Sequence, residues 1–337
     1  MKRINISLEF RRVKIVVTGG AGFIGSHLVD HLLLAGNEVV AIDNLSSGNL
    51  KNIQNASLNK SFRFFRKDLR FMGKQEYDDI MGDAEAVFHL SAFADLRRSL
   101  VDKNQDFDNN LVPTLKLLDA IAENGIKHLV YFSTSSIYGE PALIPTPESY
   151  FPTITSLYAA SKISSEAFCQ AYSEMYNFRL DIFRFSNIIG ERCRRGVIWD
   201  FVHKLKVNER ILEVLGDGKQ SKEFLHVSDA IQAVLSVYSR ENGTRISVYN
   251  VGSDQNITVD EVANIVSNKV TGRCAKKIFS GGKSGWIGDN PIVSLDISKI
   301  KSIGWKQTLN SRKAIEIAVD WTLVEIENEQ INDDTAK

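Results

Sequence analysis

Val13-Lys14-Ile15-Val16-Val17-Thr18-Gly19-Gly20-Ala21-Gly22-Phe23-Ile24-Gly25 is the stretch on which the fold turns. Its first five residues form a short β-branched run of the kind that makes a strand buried on both faces of a parallel sheet. The run breaks into a glycine turn. Phe23, Ile24, Leu28, Val29, Leu32 and Leu33 then recur at helical spacing up to a stop at Gly36. Strand, glycine turn and helix start in this order make a cradle for a dinucleotide pyrophosphate, because the first amide N–H groups of the helix lack partners and its dipole is positive there. Gly19 permits the tight turn, Gly22 lets the backbone approach the phosphates, and Gly25 lets helix and sheet pack closely. The spacing is Gly-x-x-Gly-x-x-Gly, and glycine turns also join strands to helices without binding a ligand, so the flanking strand and helix carry the inference.

Outward from this point, Glu38–Asp43 reads as a second strand ending in a carboxylate 24 residues after Gly19. An acid at that distance accepts hydrogen bonds from a ribose diol. Asn44-Leu45-Ser46-Ser47-Gly48 offers no Lys or Arg to a 2′-phosphate, which favours NAD over NADP; a loop-capping carboxylate is the alternative reading of Asp43. Further strands are predicted over Phe62–Leu69, with Asp68 at the adenine edge, over Ala86–Ala92, running into small residues that include Ser91, over His128–Phe132 and over Leu180–Phe185. A helix over Asn110–Asn124 either starts or kinks at Pro113. This alternation over about 170 residues predicts an α/β fold, a Rossmann-like doubly wound parallel sheet. Past Ser186 the rhythm changes. A helix over Trp199–Val207, a hairpin at Gly216-Asp217-Gly218, a strand over Val248–Gly252, a helix over Thr258–Ser267 and a last helix over Arg312–Ile326 predict a smaller mixed α/β unit. The expected division is an NAD-binding domain over 13–185, to which 223–252 returns, and a substrate-binding domain over 186–330.

The chain has 337 residues, 43% of them hydrophobic, with 41 basic against 41 acidic side chains. That balance gives no bulk electrostatic case for nucleic acid or a membrane surface. Cys169, Cys193 and Cys274 are odd in number and far apart, which fits free thiols in a reducing, cytoplasmic setting. Residues 1–12 lack the apolar core of a secretory signal, and no apolar run approaches the ~20 residues of a membrane span. His27 and His31 lie one helical turn apart without a third ligand, so no metal is expected.

Tyr158 and Lys162 share a face of a predicted helix. A free tyrosine, with pKa ~10, is a poor base at neutral pH, and a neighbouring ammonium together with the positive nicotinamide of NAD⁺ favours its phenolate. The pair follows a strand whose carboxyl end carries Thr134 and Ser135, where ligands of such sheets sit. A hydroxyl, a tunable phenol and a cation converging on a nicotinamide suit hydride transfer at a carbinol carbon.

In these residues the chain resembles the extended short-chain dehydrogenases/reductases, in particular their nucleotide-sugar epimerase/dehydratase branch. The resemblance spans about 13–321 and rests on Thr18–Gly25, Asp43-Asn44-Leu45, Asp68-Leu69, Ser133–Gly139, Tyr158-Ala159-Ala160-Ser161-Lys162, Arg184–Gly190, Gly216-Asp217-Gly218 with Phe224, Asp229 and Gly288-Asp289. It implies NAD held by Gly19, Gly22, Phe23, Ile24, Gly25, Asp43, Asn44, Asp68, Leu69, Ser91 and Lys162, and catalysis by Tyr158, Lys162 and Thr134. Tyr158 would take the proton from the sugar O4, and Lys162 would hold the nicotinamide ribose and lower the Tyr158 pKa. Dehydratases of this branch carry Asp-Glu after the matching threonine and decarboxylases usually Ser-Glu; here Ser135-Ser136 stands, which resembles a UDP-glucose 4-epimerase site. A dehydratase, decarboxylase or reductase on the same ligands is the second reading, and a non-catalytic NAD-binding regulator the third.

For the UDP-sugar the resemblance implies Ser135, Ser136, Asn187, Lys222 and Val293. Lys222 stands where the family commonly has Arg, and the stretch before Gly288-Asp289 also lacks the family's Arg. Arg192, Arg194 and Arg195 either compensate or form a solvated loop. Val293 is smaller than the tyrosine of strict hexose epimerases, which implies room for N-acetylhexosamines. Homodimers paired through helices near 105–124 and 157–177 are expected on the same ground.

Overall fold

Strand β1 (Lys14–Thr18) lies inside a seven-stranded sheet, as its unbroken apolar run requires. The computed structural model describes residues 12–94, 101–240, 243–286 and 288–335. On one side of β1 come β2 (Glu38–Asp43) and β3 (Phe62–Arg66); on the other come β4 (Ala86–His89), β5 (His128–Thr134), β6 (Arg179–Phe185) and, at the far edge, β10 (Ile246–Val251). Every pairing in this sheet is parallel. The order of strand addition reverses between β1 and β4, which opens the crevice where such sheets bind ligands.

Alternation of side chains along each strand supplies two cores. Ile15 and Val17 face one, with Leu28, Val29 and Leu32 of α1 (Phe23–Leu34) and Ala230, Val234 and Val237 of α6 (Val227–Tyr238). Val16 faces the other, with Tyr77 and Ile80 of α2 (Lys74–Met81), Leu117 and Ile121 of α3 (Val112–Glu123) and Cys169 of α4 (Leu157–Tyr176). Pro113 sits in the first turn of α3, directly after a π-turn over Phe107–Leu111. Helical backbone already runs from residue 105 through that π-turn into α3, so the helix does not start at Pro113; the widened π-turn accommodates the proline's missing N–H within it.

A third core gathers α5 (Val197–Val207), α7 (Val259–Thr271) and α8 (Ser311–Thr335), with Phe201, Leu205, Val262, Val266, Ile315 and Val319 buried between them. Thr258 caps α7 by accepting from Glu261 N at 3.2 Å while the Glu261 carboxylate accepts from Thr258 N at 2.8 Å. The hairpin expected at Gly216-Asp217-Gly218 does not form. Strand β8 (Ile211–Val214) runs parallel to β12 (Lys276–Phe279), while β9 (Ser221–His226) joins β7 (Asn187–Ile189) and β11 (Asn256–Thr258). The turn instead hands the chain from one small sheet to another, and its carbonyls serve distant partners: Gly216 O accepts from Gly281 N and Gly218 O from Asp260 N, each at 3.0 Å.

Candidate active site

At the nucleotide end the three glycines have separate physical reasons. Gly19 has φ +69°, a conformation other residues rarely adopt, and its N–H donates to Ile42 O at 2.7 Å. Gly22 caps α1 without a side-chain bond, so the first-turn N–H groups, beside no acidic residue, remain for a ligand. A Cβ on Gly25 would lie 2.1 Å from Gly19 O, so only glycine lets Phe23, Ile24 and the rest of the first turn seat this close to the loop. The cradle therefore fits a pyrophosphate.

Next to it Ile42, Asp43, Asn44, Lys67, Asp68, Leu69, Arg70, Ser91, Asn109 and Pro113 line one cleft. Asp43 accepts from Ala21 N at 3.0 Å and Leu45 N at 2.8 Å, while burial raises its pKa. It thus braces the glycine loop as well as facing the cleft. Asp68 is forked by Arg70 (3.0 and 2.7 Å) and bonded by Asn44 Nδ2 at 2.9 Å. Arg70 above all holds its pKa at about 2. The reading of Asn44–Gly48 missed the two cations of this cleft, Lys67 and Arg70, which come from the end of β3 and are paired with Glu76 and Asp68.

The reacting end lies where β5 stops. Thr134 Oγ1 accepts from Ser136 N at 3.1 Å and fixes the short turn that presents Ser135 and Ser136. Ser156 caps α4 by accepting from Ala159 N at 3.1 Å, which sets Tyr158 in the first turn, its phenol on the side of Thr134. Burial raises the phenol pKa; the Arg195 guanidinium and the Thr134 hydroxyl oppose this, and Asp106 adds to it.

Lys162 departs from expectation. Its Nζ lies 4.2 Å from the Tyr131 ring centroid, and the cation acting on the Tyr158 phenol is Arg195. Helical spacing fixes where two Cβ atoms stand, whereas a buried four-carbon stem carries its charge to the nearest π-face or carboxylate. Burial lowers the Lys162 pKa to about 8, against Cys169 and Glu166, which favour its charge.

Two supports escaped the sequence. Glu166, fully buried one turn past Lys162, is forked by Arg184 of β6 (3.2 and 2.7 Å to Oε2) and accepts from the Ser133 hydroxyl of β5, so α4 is pinned to both strands. Asn110, turned inward by the π-turn, donates to Ser161 Oγ at 2.9 Å and holds both backbone groups of Phe93 (2.6 and 3.0 Å). An i, i+4 pattern through Tyr158, Lys162 and Glu166 was the available signal for the first; nothing local marks the second.

The residues expected to meet the sugar diphosphate divide. Asn187 Nδ2 donates to Glu223 O at 3.0 Å. Lys222 is ion-paired with Asp289 and lies 5.3 Å from the Trp286 ring centroid, so its charge is already shared. Val293 is half-buried, its N–H donating to Ser221 O at 3.0 Å. Of the loop arginines, Arg192 pairs with Asp30 at 2.7 Å and Arg194 with Glu325 at 2.6 Å; these two are structural, and Arg195 alone acts on Tyr158. Glu140, Thr155, Ser284, Trp286, Gly288, Asp289 and Asn290 line a cavity of about 470 Å³ at this end. His27 and His31 bond to backbone carbonyls of Glu191 and His27, and among the described residues no group of three or more His, Cys, Asp or Glu gathers as a metal site. No helix among them is long and apolar enough to cross a membrane.

Residues 15–252 match the model of the NAD-dependent epimerase/dehydratase family. The chain is 28% identical over 326 residues to UDP-glucose 4-epimerase of Lacticaseibacillus casei, covering 91% of this chain and 96% of that protein. Among solved structures it is similar to a UDP-galactose 4-epimerase (32% identity, TM-score 0.82, 93% of this chain and 100% of that one). It is also similar to UDP-glucuronic acid 4-epimerase from Bacillus cereus in complex with UDP-glucuronic acid and NAD (27% identity, TM-score 0.85, with the same coverage).

Proposed function

Since the chain belongs to the NAD-dependent epimerase/dehydratase family, we propose that it inverts C4 of a UDP-sugar of the UDP-glucose/UDP-galactose type through a transient 4-keto sugar. The observation carrying this reading is Tyr158 in the first turn of α4, set by the Ser156 cap, with Thr134 favouring its phenolate from the end of β5 beside Ser135-Ser136. One proton can be moved at a carbinol oxygen, and neither following position offers a carboxylate to expel water. The bound nicotinamide supplies the reversible hydride exchange at C4. Tyr158 takes and returns the O4 proton, Thr134 orients that hydroxyl, and Arg195 favours the phenolate; Lys162, from its buried place beside Tyr131, meets the nicotinamide ribose. Gly19, Gly22, Phe23, Ile24, Gly25, Asp43, Asn44, Asp68, Leu69 and Ser91 hold the dinucleotide, and Ser135, Ser136, Asn187, Lys222 and Val293 the UDP-sugar.

The proposal keeps residues 13–185 with the later returning segment as the NAD unit and the rest of 186–330 as the substrate unit. It extends to N-acetylhexosamine substrates through the small Val293. It also extends to a cytoplasmic homodimer, supported by exposed Phe107, Phe168, Met175 and Tyr176 on the expected pairing helices and by three free cysteines. The test is incubation with UDP-glucose, UDP-GlcNAc, UDP-glucuronate and GDP-mannose, with the products identified. An epimerase leaves substrate mass and net NAD redox state unchanged, and Tyr158→Phe lowers turnover by about two orders of magnitude or more while NAD stays bound. A product lighter by water or carbon dioxide, or an active Tyr158→Phe, overturns the reading.

A further inference from the structure

Glu223 is 1% exposed and lies between Lys222 and the core residue Phe224 on β9, yet no catalytic or binding role above uses its carboxylate. Each carboxylate oxygen instead receives a backbone N–H from a different segment. Oε1 accepts from Leu295 N at 2.7 Å and Oε2 from Ser253 N at 3.3 Å. The backbone carbonyl of the same residue accepts from Asn187 Nδ2 at 3.0 Å. One residue thus joins the chain leaving the large sheet at β10, the chain entering β7, and the 291–295 segment that carries Val293.

The rest of that segment is held by main-chain bonds to the first residue of β9: Ser221 N donates to Pro291 O at 2.8 Å and Val293 N to Ser221 O at 3.0 Å. Asn256 Nδ2 adds a bond to Val293 O at 2.8 Å. Packing around the carboxylate is tight. A Cβ on Gly252 would lie 2.0 Å from Glu223 Oε2, so glycine at 252 is what admits the carboxylate to this junction.

We infer that Glu223 is a positioning residue for the sugar pocket: its carboxylate clasps the Val293 segment and sets the size of the sugar the site accepts. The inference rests on the proposed UDP-sugar reading. A carboxylate can accept both N–H groups at once, whereas a glutamine presents its NH₂ to one of them and loses that bond. The consequence falls on Val293 and Lys222 and leaves Tyr158, Thr134 and the glycine cradle untouched.

Two variants test this from opposite sides. Glu223→Gln alters the acceptor, and Gly252→Ala leaves the carboxylate intact but displaces it. Each is expected to raise KM for UDP-glucose about three- to tenfold, the effect of losing one buried hydrogen bond. Each should also shift the UDP-GlcNAc to UDP-glucose preference, with kcat within about threefold and bound NAD unchanged. Direct titration with UDP-glucose, read by calorimetry, gives the same loss without relying on turnover. Wild-type KM and preference in both variants overturn the inference, as does an equal fall in kcat, NAD content and melting temperature, which marks a structural role only. A wild-type protein that neither binds nor converts any UDP-sugar overturns the functional reading itself, and the inference with it.

Discussion

Alanine at position 25 would place a Cβ 2.1 Å from the Gly19 carbonyl oxygen, 2.9 Å from its carbon and 3.1 Å from Gly20 Cα. These are backbone atoms of the cradle, and no rotamer relieves the overlap. Ordinary contact begins near ~3.5 Å, so loop and helix must separate by more than about 1 Å. Overpacking of this kind costs about 1–3 kcal/mol, a melting temperature lower by roughly 1.5–4 °C for a chain of this length. The same shift withdraws N–H groups at the start of α1 from a phosphate, and one lost bond to a charged group is worth about 1.5–3 kcal/mol. NAD affinity should therefore fall at least about tenfold. Thermal melts and calorimetric titration with NAD read both effects. Gly73→Ala, at φ −84° with no atom within 4 Å of an added Cβ, is the control and should leave NAD affinity unchanged. A Gly25→Ala protein that binds NAD like wild type and melts within about 1 °C of it would refute the close-approach argument.

Glu166→Gln removes the charge that forks Arg184 and leaves a guanidinium buried without its counter-ion, at a cost of about 3–5 kcal/mol in urea unfolding; the double variant Glu166→Gln/Arg184→Met should recover much of that loss. Burial pushes the Glu223 carboxyl from 4.5 to about 7, so its contribution is greatest at low pH and declines as pH rises through that window. Roughly 3 kcal/mol is at stake, and urea melts of wild type against Glu223→Gln from pH 4.5 to pH 8 should show the slope only in wild type. Burial lowers the His89 pKa from 6.5 to about 3, between hydroxyls of Thr18 (2.7 Å) and Thr114 (2.9 Å). Below pH 6.5 the unfolded chain binds a proton that the folded chain refuses, so wild type loses about 1.4 kcal/mol per pH unit from this group. His89→Gln should flatten that acid limb, and identical limbs would show that His89 does not carry it.

The run Val13–Val17, the three glycines and Asp43 made the parallel sheet and its cradle legible because each depends on local properties: β-branching, a positive φ, a carboxylate at a strand end. Tyr158 and Thr134 were legible as a pair because one helix cap and one strand end place them. Lys67 and Arg70 were missed because they enter the cleft from a neighbouring strand, a relation set by β2–β3 pairing rather than by proximity in sequence. The Gly216–Gly218 turn has hairpin chemistry, yet β8 found its partner 65 residues on and β9 its partners more than 30 residues away on either side.

What the sequence determined by itself was the order of strands and helices, the dinucleotide cradle and the chemical types at the reacting end. Tertiary structure decided which cation favours the phenolate, which arginines were already committed to carboxylates, and that Glu223 ties the 291–295 segment to the chain leaving β10. Charges and hydrogen-bond acceptors act over a few ångströms in space, and only the folded chain determines which distant residues come within that range.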